Sequence, residues 1–163
     1  MTINICAVPY AYDVPFFYFE SKEEYDEKYQ KNFEKYHCEE YEFQYIDGDE
    51  LLDILWTALG SENVFKILEI YEEGIIDNER DARALEVCLT LLGMDIDEAL
   101  SSYGDIYLFW GNAEEYAYDN FPWHEVPEYL HSYVDIDSYK NDLECGGELY
   151  DLGNGYIFIR TDL

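Results

Sequence analysis

The sequence predicts an α+β fold, with short strands and helices segregated along three successive parts of the chain. Three observations carry this. Strand-like alternation is confined to the two ends. Helical periodicity fills the middle. Near the C-terminus, Asn154-Gly155 separates two apolar runs, as a tight hairpin requires, because both central residues of that turn need positive φ. Of the 163 residues, 48% are hydrophobic and 18% aromatic, which is enough to build a core and argues against disorder.

The first part covers residues 1–47 and combines a small sheet with one helix. Ile3, Ile5 and Ala7 take alternate positions, a short strand pattern. Phe16 to Phe19 follows Pro15 and reads as a second strand. Ser21, with Glu24 three residues later, has the form of a capping box that opens a helix. Tyr25, Tyr29 and Phe33 give that helix one aromatic face, while Lys22, Lys28, Lys31 and Lys35 mix with Glu23, Asp26, Glu27 and Glu34 elsewhere on it. Glu40 to Ile46 alternates strictly, a half-buried strand with its aromatics on one side.

The second part, 48–103, is helical throughout. Leu51, Leu52, Leu55, Trp56 and Leu59 form a stripe at helical spacing, ended by Gly60. Phe65, Leu68 and Tyr71 mark a second helix, ending near Gly74. Leu85, Cys88, Leu91 and Leu92 mark a third, stopped by Gly93. Asp95 can cap a short fourth through Leu100, with Glu98 placed to complete the box. These stripes are read as core.

The third part, 104–163, is mixed. Asp105 to Trp110 is a near-continuous apolar run, read as a buried strand. Asn112 followed by Glu115 signals a helix start. Pro127 suits the first turn of a helix through about Tyr133, and Asp135 or Asp137 can open another carrying Tyr139 and Leu143. Gly146-Gly147 interrupts the chain before the closing hairpin, Glu148–Leu152 and Tyr156–Arg160.

Charge separates this chain from ordinary domains. It carries 38 Asp and Glu against 9 Lys and Arg, a net of -29. Residues 84–139 contain no Lys or Arg at all. Self-repulsion on this scale opposes compaction. The balance excludes a cationic footprint for nucleic acid and attraction to an anionic membrane; the partner it fits is basic. No apolar run reaches the length of a membrane span, and the N-terminus lacks the form of a signal peptide. Cys6, Cys38, Cys88 and Cys145 have no paired spacing, which suits four free thiols in a cytoplasmic protein. His124 and His131 are seven apart with no cysteine nearby, so no metal site is expected. Asp47-Gly-Asp-Glu50 lacks the spacing of a calcium loop. Neither a phosphate loop nor a nucleophile elbow is present, so no cofactor and no catalytic residue is assigned.

The carboxylates can be read in three ways. They can form a solvated surface that only confers solubility. They can include a catalytic pair, which would need a pocket with perturbed pKa values. They can also imitate the phosphates of DNA. A duplex carries one charge per about 1.7 Å of axis, so 29 net charges match about 49 Å of duplex. Carboxylates four apart on a helix, such as Glu69 and Glu73 or Glu115 and Asp119, stand about 6 Å apart. They accept hydrogen bonds from the same Arg and Lys groups that bind phosphate.

The segment from Glu125 to Leu143 resembles the C-terminal signature of the ArdA antirestriction proteins. Val126, Pro127, Leu130, Tyr133, Val134, Asp135, Tyr139, Asp142 and Leu143 match it. The acidic stretch Glu114 to Asp119, the closing hairpin, Tyr41 to Asp47 and Leu51 to Trp56 also fit. The resemblance implies an elongated chain of three small domains in a line, forming a homodimer that imitates bent DNA. Its partner would be the DNA groove of a type I restriction–modification enzyme in a bacterial cytoplasm, with restriction and sometimes methylation blocked. A different defence system, such as a CRISPR effector or an abortive-infection complex, is the alternative target. The carboxylates assigned to partner binding are Asp49, Glu50, Asp53, Glu69, Glu72, Glu73, Asp77, Asp95, Asp97, Glu98, Asp105, Glu114, Glu115 and Asp119. Tyr116, Phe121 and Trp123 could belong to a dimer contact or to ordinary core.

Overall fold

β1 (Asn4–Pro9) is the centre of a three-stranded antiparallel sheet, with β2 (Phe17–Phe19) on one side and β3 (Tyr41–Asp47) on the other. Ile5 lies opposite both Phe19 and Tyr45, which sets the register of all three strands. Phe16, expected in β2, falls outside it and is exposed. Between β2 and β3 runs α1 (Lys22–Tyr36). Ser21 caps it, accepting from the Glu24 N–H at 3.2 Å. The return bond differs from the expected box: the Glu24 carboxylate accepts from the N–H of Glu20, one residue earlier, at 2.8 Å.

The helices that follow are α2 (Glu50–Leu59), α3 (Val64–Glu72), α4 (Glu79–Thr90) and α5 (Ile96–Ser102). α2 packs on both α3 and α4. Ile5, Ala7, Phe19 and Tyr25 share one core cluster with Val64 and Leu68 of α3, with Phe43, Trp56 and Phe65 packed against it. Sheet and helices are therefore built on common apolar contacts, each fully buried Leu or Ile contributing about 1.5–3 kcal/mol. Leu91, read as part of the α4 stripe, is exposed. It follows the last helical residue and acts as the C-cap, where the helical stripe no longer dictates direction.

The structure, a computed structural model, describes residues 3–161. The chain divides into two compact units, 1–101 and 102–163. In the second unit the sheet order is β4 (Leu108–Trp110), β6 (Tyr156–Ile159), β5 (Leu149–Gly153), all antiparallel. Asn154 and Gly155 both have positive φ, 50° and 84°, as the Asn-Gly hairpin predicts. α6 (Ala113–Asn120) starts on a complete capping box between Asn112 and Glu115. α7 (Ile136–Gly146) starts on Asp135, which accepts from the Ser138 N–H at 3.0 Å. Ala113, Leu149, Ile157 and Ile159 form the core, with Phe109, Tyr116 and Leu143 against it.

Two expectations for this unit are corrected. The run 105–110 is not a buried strand. Only Leu108–Trp110 is strand, at the sheet edge, and while Ile106 and Leu108 are buried, Tyr107 and Trp110 are exposed. Side chains two apart share a face of a strand, so Trp110 lies on the same face as the buried Leu108 and is exposed as the last residue of this short strand, not by alternation. The segment after Pro127 is a 3-10 helix, Glu128–Tyr133, rather than an α-helix. No side chain caps its start, in contrast to Asn112 and Asp135 at α6 and α7, so it lacks the anchor of the longer-ranged α-helical turn.

Candidate functional site

The assigned carboxylates reach the surface through the helix termini. Thirteen of the fourteen are exposed; Asp49 alone is half-buried. Asp49 caps α2, accepting from the Leu52 N–H at 2.9 Å, and its other oxygen accepts from the Tyr71 hydroxyl. That second bond holds the start of α2 against the end of α3. The same bond, with burial second, pushes the Tyr71 pKa up to about 12. On β3, Tyr45 has a buried hydroxyl outside the hydrogen-bond network of the described residues, with the Asp53 carboxylate beside it. Burial, then Asp53, raises the Tyr45 pKa.

Position along a helix sorts these acids by their effect on folding. Glu50, Asp53, Asp97, Glu98, Glu114 and Glu115 lie in first turns, where the positive end of the helix dipole favours them. Asp95 caps α5 by accepting from the Glu98 N–H at 2.9 Å. Asp77 accepts from the Asn78 amide. Glu69, Glu72 and Glu73 occupy the last turn and C-cap of α3, and Asp119 the last turn of α6, where the dipole disfavours them. Lys66 reaches Glu69 at 3.2 Å. Asp105 lies in a 3-10 turn, Tyr103–Asp105.

Cations do little to cancel this surface. Among the described residues, at least six of the nine Lys and Arg side chains are in ion pairs with acids one to four residues away, among them Lys22, Lys28 and Lys66. The second unit carries 13 acidic residues against 2 basic, a net of -11 in 62 residues. Both resolved carboxylate shifts are downward: Lys28 beside Glu24, and the Ser138 N–H bound to Asp135, favour the charged form.

In each unit a groove involves assigned residues. In the first, Asp95 and Asp97 line a groove of about 670 Å³ with Leu59, Lys66, Leu89, Met94 and Ile96. In the second, Glu114, Glu115 and Asp119 line a groove of about 680 Å³ with Phe109, Trp110, Asn112 and Tyr118. Sequence reading assigned no role to Trp110 or Tyr118. Trp110 stood within the continuous apolar run 105–110 and Tyr118 within the acidic helix α6, and neither pattern marks an exposed ring.

Tyr116, Phe121 and Trp123 are half-buried and engaged within their own unit. Tyr116 packs on Phe109 at 5.3 Å, and burial raises its pKa. Phe121 packs on Trp123 at 4.7 Å and on Tyr139 at 5.1 Å, and the Trp123 indole donates to the Tyr118 carbonyl at 2.8 Å. His131 meets the Trp123 ring at 4.8 Å and the Val126 carbonyl at 2.9 Å. Among the described residues, no group of three or more His, Cys, Asp or Glu could hold a metal ion, and no helix is long and apolar enough to cross a membrane.

Compared with known proteins, the chain matches no family model and no curated protein.

Proposed function

We propose that this protein is a DNA-mimic antirestriction factor that occupies the basic DNA groove of a type I restriction–modification enzyme and competes with DNA. The observation that carries this reading is the placement of acid where it burdens the fold. Glu72, Glu73 and Asp119 sit exposed at helix C-termini, although Lys or Arg there would stabilise. Solubility alone gives no reason to keep these three at positions where they cost stability. Exposed carboxylates on fixed helices can meet Arg and Lys without the bending that real DNA requires. The mechanism is steric and electrostatic occupancy, with no chemical step.

The test is competition. A type I methyltransferase core is incubated with labelled duplex and increasing amounts of the protein. Displacement that weakens steeply as salt rises is the expected result, because exposed charges are screened. Unchanged DNA binding at saturating protein rejects the reading for that enzyme. A homodimer belongs to the same proposal, and light scattering on the purified protein tests it.

A further inference from the structure

Resting on the function just proposed, we infer that the groove between α6 and the edge strand β4 receives an arginine side chain of the basic partner. The apolar part of its lining is aromatic: Phe109 and Trp110 from β4 and Tyr118 from α6. Trp110 is 66% exposed and Tyr118 57% exposed, yet both rings are held. Trp110 meets Tyr156 edge-on at 4.6 Å and lies 3.4 Å from where a Cβ at Gly155 would stand. Tyr118 packs on Trp123 at 5.1 Å. Rings that are fixed in place but open to solvent offer π faces at little ordering cost, and such faces attract cations.

The charge of the occupant follows from the rest of the lining. Glu114, Glu115 and Asp119 face the same space, with Glu115 committing one oxygen to the Asn112 N–H at 3.0 Å. Among the described residues, no lysine or arginine lines the groove. Lys140 is paired with Asp137 at 3.6 Å, and Arg160 follows the end of β6, four residues and about 13 Å of extended chain from Tyr156. Arginine fits better than lysine. Its planar guanidinium can stack on Trp110 while its N–H fork meets a carboxylate, whereas an ammonium is a compact, strongly hydrated point charge. Distributed charge alone gives no role to an uncharged ring, so the inference separates from simple charge display at Trp110.

The experiment titrates the full chain with N-acetyl-arginine amide and, separately, N-acetyl-lysine amide at matched ionic strength, following side-chain NMR signals of Trp110 and Tyr118. Saturable shifts with arginine, several-fold tighter than with lysine, are expected, and Trp110→Leu should abolish them. Equal responses to both amides, or a response that survives in Trp110→Leu, overturn the inference. In the DNA-competition assay, folded Trp110→Leu should bind the methyltransferase core about 10-fold more weakly, in the range of a desolvated cation–π contact. A loss below about 2-fold overturns the inference while the competition itself stands. If the wild-type chain fails to compete with DNA, the proposed function fails, and the amide titration still decides the groove.

Discussion

Replacing Glu72 and Glu73 together by Gln should make the protein more stable and a poorer competitor of DNA. Both carboxylates are exposed at the C-terminal end of α3, Glu72 as its last residue and Glu73 as its C-cap. Each sits against the negative end of the helix dipole, at a cost of about 0.3–1 kcal/mol. Glu73 is also one turn from Glu69, and like charges at that spacing cost about 0.2–0.5 kcal/mol more. Gln keeps the size and helix propensity of Glu, so little is lost in exchange. The double variant should therefore gain about 1–2 kcal/mol at low ionic strength. Urea denaturation followed by Trp fluorescence, with Trp110 and Trp123 replaced by Phe in both proteins so that only Trp56 of the first unit reports, reads this. The gain should shrink as salt is added. In the competition assay the same protein should bind less tightly, since two displayed charges are gone. A variant less stable than wild type would refute the dipole argument; undiminished competition would show that these two acids are not part of the binding face.

Other positions respond differently. Asp49→Ala should cost about 2–3 kcal/mol, because it removes the α2 cap and strands the Tyr71 hydroxyl, whereas Asp49→Asn keeps the cap and should cost about 1 kcal/mol; a double-mutant cycle with Tyr71→Phe checks the coupling. Gly111→Ala should unfold or loosen the second unit: Gly111 has φ 148°, and a Cβ there would stand 2.5 Å from Phe109 and 2.8 Å from Glu115. Hydrogen exchange of residues 102–161 should rise sharply in that variant. Stability should fall as pH rises from about 10 to about 12. Tyr25, through burial, and Tyr71, through Asp49, keep their protons to about 12 when folded and release them near 10 when unfolded. Circular dichroism across that window checks it, and Tyr71→Phe should flatten the decline. Leu55→Ala, at a fully buried position, should cost about 2–5 kcal/mol by thermal melting.

Local chemistry made much of the fold legible in advance. Ser21, Asp49, Asp95, Asn112 and Asp135 cap helices because their short oxygens reach an N–H three residues on, an interaction contained within four residues of sequence. Asn154-Gly155 was equally local. What stayed hidden depends on partners distant in the chain. Ile54, Ile67 and Ile70 are buried beside the stripes that periodicity picked out, because α2 and α3 meet neighbours on more than one face. Trp110 stands two residues from the buried Leu108, on the same face of β4, so alternation would have buried it; its exposure shows only in the folded sheet. For the candidate site, the sequence named the acids but not their ranking. Asp49 could be told from Glu72 only once Tyr71 was seen beside it.

The four cysteines turn this fold into its own opening clock. Cys6 on β1, Cys38 after α1 and Cys88 on α4 are buried, while Cys145 on α7 is exposed. Burial also raises the thiol pKa of Cys6 and Cys88, which depletes the reactive thiolate. A thiol reagent added to the native protein should therefore label Cys145 at once and provide an internal reference. The three remaining thiols can react only as fast as a strand or helix of the first unit comes apart, so their separate labelling rates convert into a free energy of local opening for each element.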